Sequence, residues 1–311
     1  MTAARDHGGG VDAAIATYGG TRSEWIDLST GINPVPYPLP EIPAQAWNAL
    51  PDRAASQALE VAARRFWQIP ERCAVLAAPG ASALIARIPG LLDPGIVDIP
   101  TPTYNEHAAA FTAHGWAQAS RNATAKVIVH PNNPTGHWYT LEDLTAPFMV
   151  IDESFADVDP SRSMIGIADQ PGRIVLKSFG KFWGLAGLRL GFAIGPQELI
   201  DRLSQMLGPW PVSGPAQSVA TAALTDLAWA RTTRDRLTRD AGRLDRIMTT
   251  AGAEVTGGTP LFRLYRVDNA AAWQDRLARH HIWTRVFPYS DELIRLGLPG
   301  AKDWSWLEAA L

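Results

Sequence analysis

The sequence predicts an α/β protein: a large domain on a mostly parallel sheet, joined to a smaller α+β domain. Three observations predict it. Between residues 73 and 194, short apolar runs without alternation are separated by helical stretches, as expected of strands covered on both faces. After Gly208-Pro209-Trp210-Pro211 the texture changes to a long helical stretch and then short strands. The 311 residues, 46 % hydrophobic and 19 % charged, suffice for one large core and a smaller one. The expected organisation is an arm over 1–45 that packs with the small domain, a large domain over 46–210 and a small domain over 211–311.

In the arm, residues 11–18 suit a short helix, and Trp25-Ile26-Asp27-Leu28-Ser29 a brief strand before a proline-rich connector. Helices are expected over 44–50 and 55–67, the second with Leu59, Ala62, Ala63 and Phe66 on one face. Strands follow at 74–77, 95–99, 126–129, 147–151, 173–176 and 191–194, with helices from Ala81 to 88 and through Tyr104 to 113. Pro215 suits the first turn of a long helix over 216–250, broken near Asp226. Strands at 261–265, 282–287 and 293–298 and helices at 272–280 and 301–311 complete the chain.

A net charge of −3 without a basic stripe argues against nucleic acid. The single cysteine, Cys73, excludes an internal disulfide, suits a reducing compartment and reads as a buried, inert thiol. The first seven residues lack the apolar core of a signal peptide. Prolines and charges interrupt the most apolar stretch, 73–100, so no membrane span is expected and the cytoplasm is the default.

The segment around Lys181 carries the chemistry. It follows the apolar run Arg173-Ile174-Val175-Leu176, and strand ends are where α/β sheets bind ligands. Ser178 and Arg189 flank the lysine and suit one anion, which points to a Schiff base with a phosphorylated aldehyde, pyridoxal 5′-phosphate. Four more strand ends support it. Pro79-Gly80-Ala81-Ser82 lets a phosphate approach the backbone. Tyr104 offers a face to a ring. His130-Pro131-Asn132-Asn133-Pro134-Thr135-Gly136 aims the Asn133 amide. Asp152, at a buried strand end, needs a cationic partner or several donors, and a protonated pyridine nitrogen is such a partner. Taken singly, each keeps an ordinary alternative: a strand–helix turn, core packing, a structural loop, a helix cap or metal ligand, and a solvated lysine. No cluster with metal spacing accompanies Asp152.

Together, Gly-Ala-Ser, Tyr, Asn-Pro-Thr-Gly, Asp-Glu-Ser, Ser-x-x-Lys and Gly-x-Arg-x-Gly resemble fold-type I, aminotransferase-like pyridoxal-phosphate enzymes over essentially the whole chain. The resemblance implies that Lys181 forms the internal aldimine, Asp152 pairs with the pyridine nitrogen, Asn133 binds the ring oxygen and Tyr104 stacks. It implies that Ala81, Ser82, Ser178 and Arg189 hold the phosphate. It makes Arg295, in Leu293-Ile294-Arg295-Leu296, the candidate for the substrate carboxylate, with Arg285 as its rival, and it implies a homodimer.

Two branches are similar. Histidinol-phosphate aminotransferases share Asn33-Pro34, the Asn133 loop and the lysine segment. Threonine-phosphate decarboxylases of cobalamin biosynthesis also share His7-Gly8-Gly9, the string from Asp27 to Pro34, and Phe155 where aminotransferases place a tyrosine. Leu50, in place of a tyrosine that reaches the neighbouring subunit, and Gly31, in place of asparagine, depart from the pattern. The implied activity is decarboxylation of L-threonine O-3-phosphate to (R)-1-amino-2-propanol phosphate, with His7 as a donor to the substrate phosphate and Gly31 and Asn133 beside the substrate. Transamination and a non-catalytic binding or regulatory module remain the alternatives.

Overall fold

The computed structural model describes residues 7–311; the signal-peptide reading rests mostly on residues 1–6, outside them. In chain order, α1 (Val11–Tyr18) leads to β1 (Ile26–Asp27), and α2 (Ala44–Asn48) precedes α3 (Arg53–Trp67). Asp52 caps α3, its carboxylate accepting from Ala55 N at 2.8 Å. The buried stripe of α3 is Leu59, Ala62, Ala63 and Trp67, not Phe66. Either aromatic fits the helical spacing, and the indole of Trp67 is drawn inward by a 2.8 Å hydrogen bond to Asp157.

Next come β2 (Ala74–Ala78), α4 (Ala81–Ile85), β3 (Ile96–Asp98), α5 (Asn105–Ala113), β4 (Ala117–Gln118) and β5 (Ala125–Val129). Helix α4 stops at Ile85 instead of 88, and a 3₁₀ turn holding Pro89 takes over, since proline has no N–H for a helical bond. Then follow β6 (Phe148–Asp152), β7 (Arg173–Ser178), β8 (Gly191–Gly195) and α6 (Gln197–Leu207), a helix absent from the sequence reading, with only Ile200 and Leu203 buried.

Helices α7 (Gly214–Thr225) and α8 (Leu227–Thr250) are separated at Asp226, whose carboxylate accepts from Trp229 N at 2.9 Å and so starts α8. The chain continues through β9 (Glu254–Thr259), β10 (Phe262–Arg266), α9 (Ala270–Arg279), β11 (Ile282–Trp283), β12 (Arg285–Phe287), β13 (Ser290–Gly297) and α10 (Trp304–Ala310). Strand β9 is absent from the sequence reading; its Gly257 and Gly258 sit against other backbone, Gly257 against Thr135 O and Gly258 against Phe262 O.

Contacts divide the described chain into two units: residues 7–36, 134–137 and 233–311, and residues 37–133 and 138–232. The divisions therefore fall at 36 and inside α8, against expected boundaries at 45 and 210. Helix α7 stays with the larger unit because it packs on α3 and α2.

The larger unit contains a seven-stranded sheet in the order β2-β8-β7-β6-β5-β3-β4. Only β8 runs antiparallel to its neighbours. The C-terminal ends of β2, β3, β5, β6 and β7 thus share one edge, where β8 begins. The smaller unit holds the antiparallel sheet β12-β13-β10-β9 and the parallel pair β1-β11. Cys73 is buried, and burial pushes its thiol up to about 11, as an inert thiol requires. No described helix is long and apolar enough to cross a membrane.

Candidate active site

One cleft opens along that shared edge, with about 690 Å3 of atom-free space, part of it open to solvent. Asp152, Asn133, Tyr104 and Lys181 line it, as do Ala81, Ser82, Ser178 and Arg189. Eight side chains drawn from between positions 81 and 189 therefore meet in one place. The turn after β7 presents Lys181 while Phe179, Phe182 and Trp183 bury their rings beneath it. Phe179 stacks on Trp183, which stacks on Trp229, with centroids 5.0 and 5.3 Å apart. The Lys181 amine lies 5.4 Å from the ring centroid of Phe155, so residue 155 offers it an aromatic face and no hydroxyl.

Asp152 is 2 % exposed at the end of β6. Burial alone pushes its carboxyl up, but His107 and Ser154 outweigh this and hold it below the usual carboxylate range. The His107 Nε2 to Asp152 Oδ2 distance is 2.8 Å, and the Ser154 hydroxyl and amide donate to Asp152 Oδ1 at 2.5 and 3.0 Å. The result is a buried carboxylate kept ionised, oriented and facing the cleft.

His107 is a residue the sequence reading missed. It lies one helical turn beyond Tyr104, and the ring centroids of the two are 6.1 Å apart. The Tyr104-x-x-His107 spacing at the start of a helix beside the ligand edge was the available signal.

At the end of the cleft lined by Ala81, Ser82, Ser178 and Arg189, glycines make the approach. A Cβ on Gly191 would stand 2.4 Å from Ala81 N, and one on Gly80, where φ is +84°, would strike the Arg189 guanidinium at 2.7 Å. Arg189 itself adopts a left-handed backbone (φ 52°), which turns the chain into β8, and its Nη1 donates to Ala186 O at 3.1 Å. Asn132, beside Asn133, accepts from the Thr103 hydroxyl at 2.6 Å and donates to Pro102 O at 3.0 Å. Those bonds tie the Asn133 loop to the segment that carries Tyr104.

The donor set fits a phosphorylated pyridine aldehyde: an amine, an ionised carboxylate, an amide, an aromatic face, two hydroxyls and a guanidinium around a glycine-lined approach. No group of three described His, Cys, Asp or Glu residues stands together as a metal site.

The remaining candidates belong to the smaller unit. Arg295 is 5 % exposed on β13 and donates from Nη2 to Ser29 O at 2.6 Å. Burial first, then repulsion from Arg285, lowers its guanidinium to about 10, against the opposing pull of Tyr289 and Asp27. Arg285 Nη1 donates to His7 O at 2.5 Å, and Trp283 Nε1 to Gly9 O at 2.9 Å. A Cβ on Gly8 would meet Ser29 O at 2.4 Å, so this position excludes larger residues. His7, Arg285 and Arg295 thus gather around one glycine-rich segment, with Gly31 buried two residues beyond Ser29. Leu50 is 66 % exposed.

The family model described as aminotransferase class I and II matches residues 116–305. The chain belongs to that family, as the parallel sheet and its ligand-edge cleft already indicate. Two relatives are similar over nearly their full lengths. Threonine-phosphate decarboxylase of Pseudomonas aeruginosa is 38 % identical over 98 % of this chain and 97 % of its own. Its namesake from a Sinorhizobium species is 39 % identical over 96 % and 94 %. Among solved structures, histidinol-phosphate aminotransferase from Sinorhizobium meliloti, in complex with pyridoxal-5′-phosphate, superposes with a TM-score of 0.82. It is 18 % identical and covers 97 % of this chain and 93 % of that one. That likeness bears on the fold.

Proposed function

We propose that this protein is a pyridoxal-phosphate-dependent decarboxylase of L-threonine O-3-phosphate that releases (R)-1-amino-2-propanol phosphate for cobalamin synthesis. The full-length likeness to two threonine-phosphate decarboxylases carries the reading. When bound, the cofactor ring supplies the sink for the electron pair that the departing carboxylate leaves behind. Lys181 offers the amine for attachment and, once released, an Nζ proton for Cα. Asp152, kept ionised by His107 and Ser154, receives the charged ring nitrogen. Tyr104 gives the ring a face, and Asn133 donates to its oxygen. Ala81, Ser82, Ser178 and Arg189 hold the cofactor phosphate.

For the substrate, Arg295 takes the carboxylate, with Arg285 as the second cation and His7 as a donor to the phosphate. Gly31 is the further candidate beside the substrate. Phe155 supports loss of CO2 over transamination, since it puts no hydroxyl beside the Lys181 amine. The reading includes a cytoplasmic homodimer, measurable by sedimentation.

Incubation of the purified protein with threonine phosphate tests the activity. CO2 release without a keto-acid acceptor supports decarboxylation. Strict dependence on an acceptor reassigns the protein as an aminotransferase, and absence of turnover and of a visible cofactor band reassigns it as a binding module.

A further inference from the structure

The wall of the cleft rests on buried charges that take no part in the chemistry above. Lys177, 1 % exposed on β7, places Nζ 2.5 Å from Glu153 Oε2 and 3.6 Å from Asp157 Oδ1. Glu153 also accepts from Ser163 Oγ at 2.6 Å and from Met164 N at 2.5 Å. Asp157 accepts from Trp67 Nε1 at 2.8 Å. These contacts hold the start, middle and end of the loop over 153–164. That loop carries Ser154, which donates to Asp152, and Phe155, whose ring faces the Lys181 amine.

We propose that Lys177 is a positioning residue for the cleft: its two ion pairs fix the loop that sets Ser154 on Asp152 and Phe155 beside Lys181. The inference rests on the reading of the cleft as a pyridoxal-phosphate site. One cation between two buried carboxylates balances charges that are costly to bury alone. Without it the carboxylates repel or take up protons, and the loop between them loses its anchor. Ser154 then leaves Asp152, the carboxylate loses the orientation that would hold it on the ring nitrogen of a bound cofactor, and the pH at which the visible band titrates would rise.

The test is a pH titration of the visible absorbance band in holoenzyme. The wild-type band, lost in Lys181→Ala, sets the reference midpoint. Lys177→Met raises that midpoint by about one pH unit, and Lys177→Arg, which keeps a cation between the carboxylates, returns it to the wild-type value. If Lys177→Met does not accumulate, Glu153→Gln removes one ion pair while Asp157 still balances Lys177, and the midpoint moves in the same direction. A midpoint unmoved in the variant that accumulates overturns the inference, even where thermal stability falls, because a merely structural role lowers stability without touching the titration. A wild-type protein without a lysine-dependent band overturns the cofactor reading and this inference with it.

Discussion

Asp152 shows how side chains set the chemistry of one atom pair. A carboxylate this deep ionises only because His107 and Ser154 surround it. Its folded-state pKa is depressed, so the linked stability is present above the unfolded carboxylate value and lost as pH falls through the folded one. In denaturant melts of cofactor-free protein, the stability margin of wild type over Asp152→Asn holds from neutrality to about pH 5 and shrinks in stronger acid. His107→Ala leaves Asp152 short of a donor and costs about 1–3 kcal/mol in the same melts. At Lys181 the expectation is sharper. If the amine is the point of attachment, as proposed, Lys181→Ala abolishes turnover and the visible band together, while far-UV circular dichroism stays that of the wild type.

At the scale of elements, the close approach of β8 to the start of α4 shapes the end of the cleft lined by Ala81 and Ser82. Gly191→Ala places a methyl group against the Ala81 amide, which is backbone and cannot swing away. The expected cost is about 1–3 kcal/mol of stability, with weaker cofactor retention on dialysis. Asp226→Ala removes the cap of α8, costs about 1 kcal/mol and leaves the visible band unchanged. The pair separates a contact at the cleft lining, Ala81, from a helix cap outside it.

Across the whole molecule, the candidates for the two kinds of recognition lie in different units. The cofactor candidates lie in the unit of residues 37–133 and 138–232, and His7, Arg285 and Arg295 lie in the other. If the guanidiniums bind the substrate's anionic groups, threonine phosphate at a hundredfold excess over its Kd stabilises the holoenzyme by about 2.7 kcal/mol. Arg295→Ala loses most of that gain in a thermal-shift assay, while the cofactor band persists.

The strand ends, the lysine turn and the break at Asp226 were legible in the sequence because each is local: an apolar run, a glycine or proline, a capping side chain. The same residues marked Lys181, Asp152, Asn133 and Arg189 as chemically unusual. Tertiary structure alone brought His107 onto Asp152 and chose Trp67 over Phe66, through partners 45 and 90 residues away. It also made Lys177, a charged residue inside an apolar strand, the buried companion of Glu153 and Asp157. Periodicity reports which side of an element is apolar, whereas the pairing of buried charges depends on which strand lies beside which. That order, β6 next to β7 in one sheet, exists only in the folded chain.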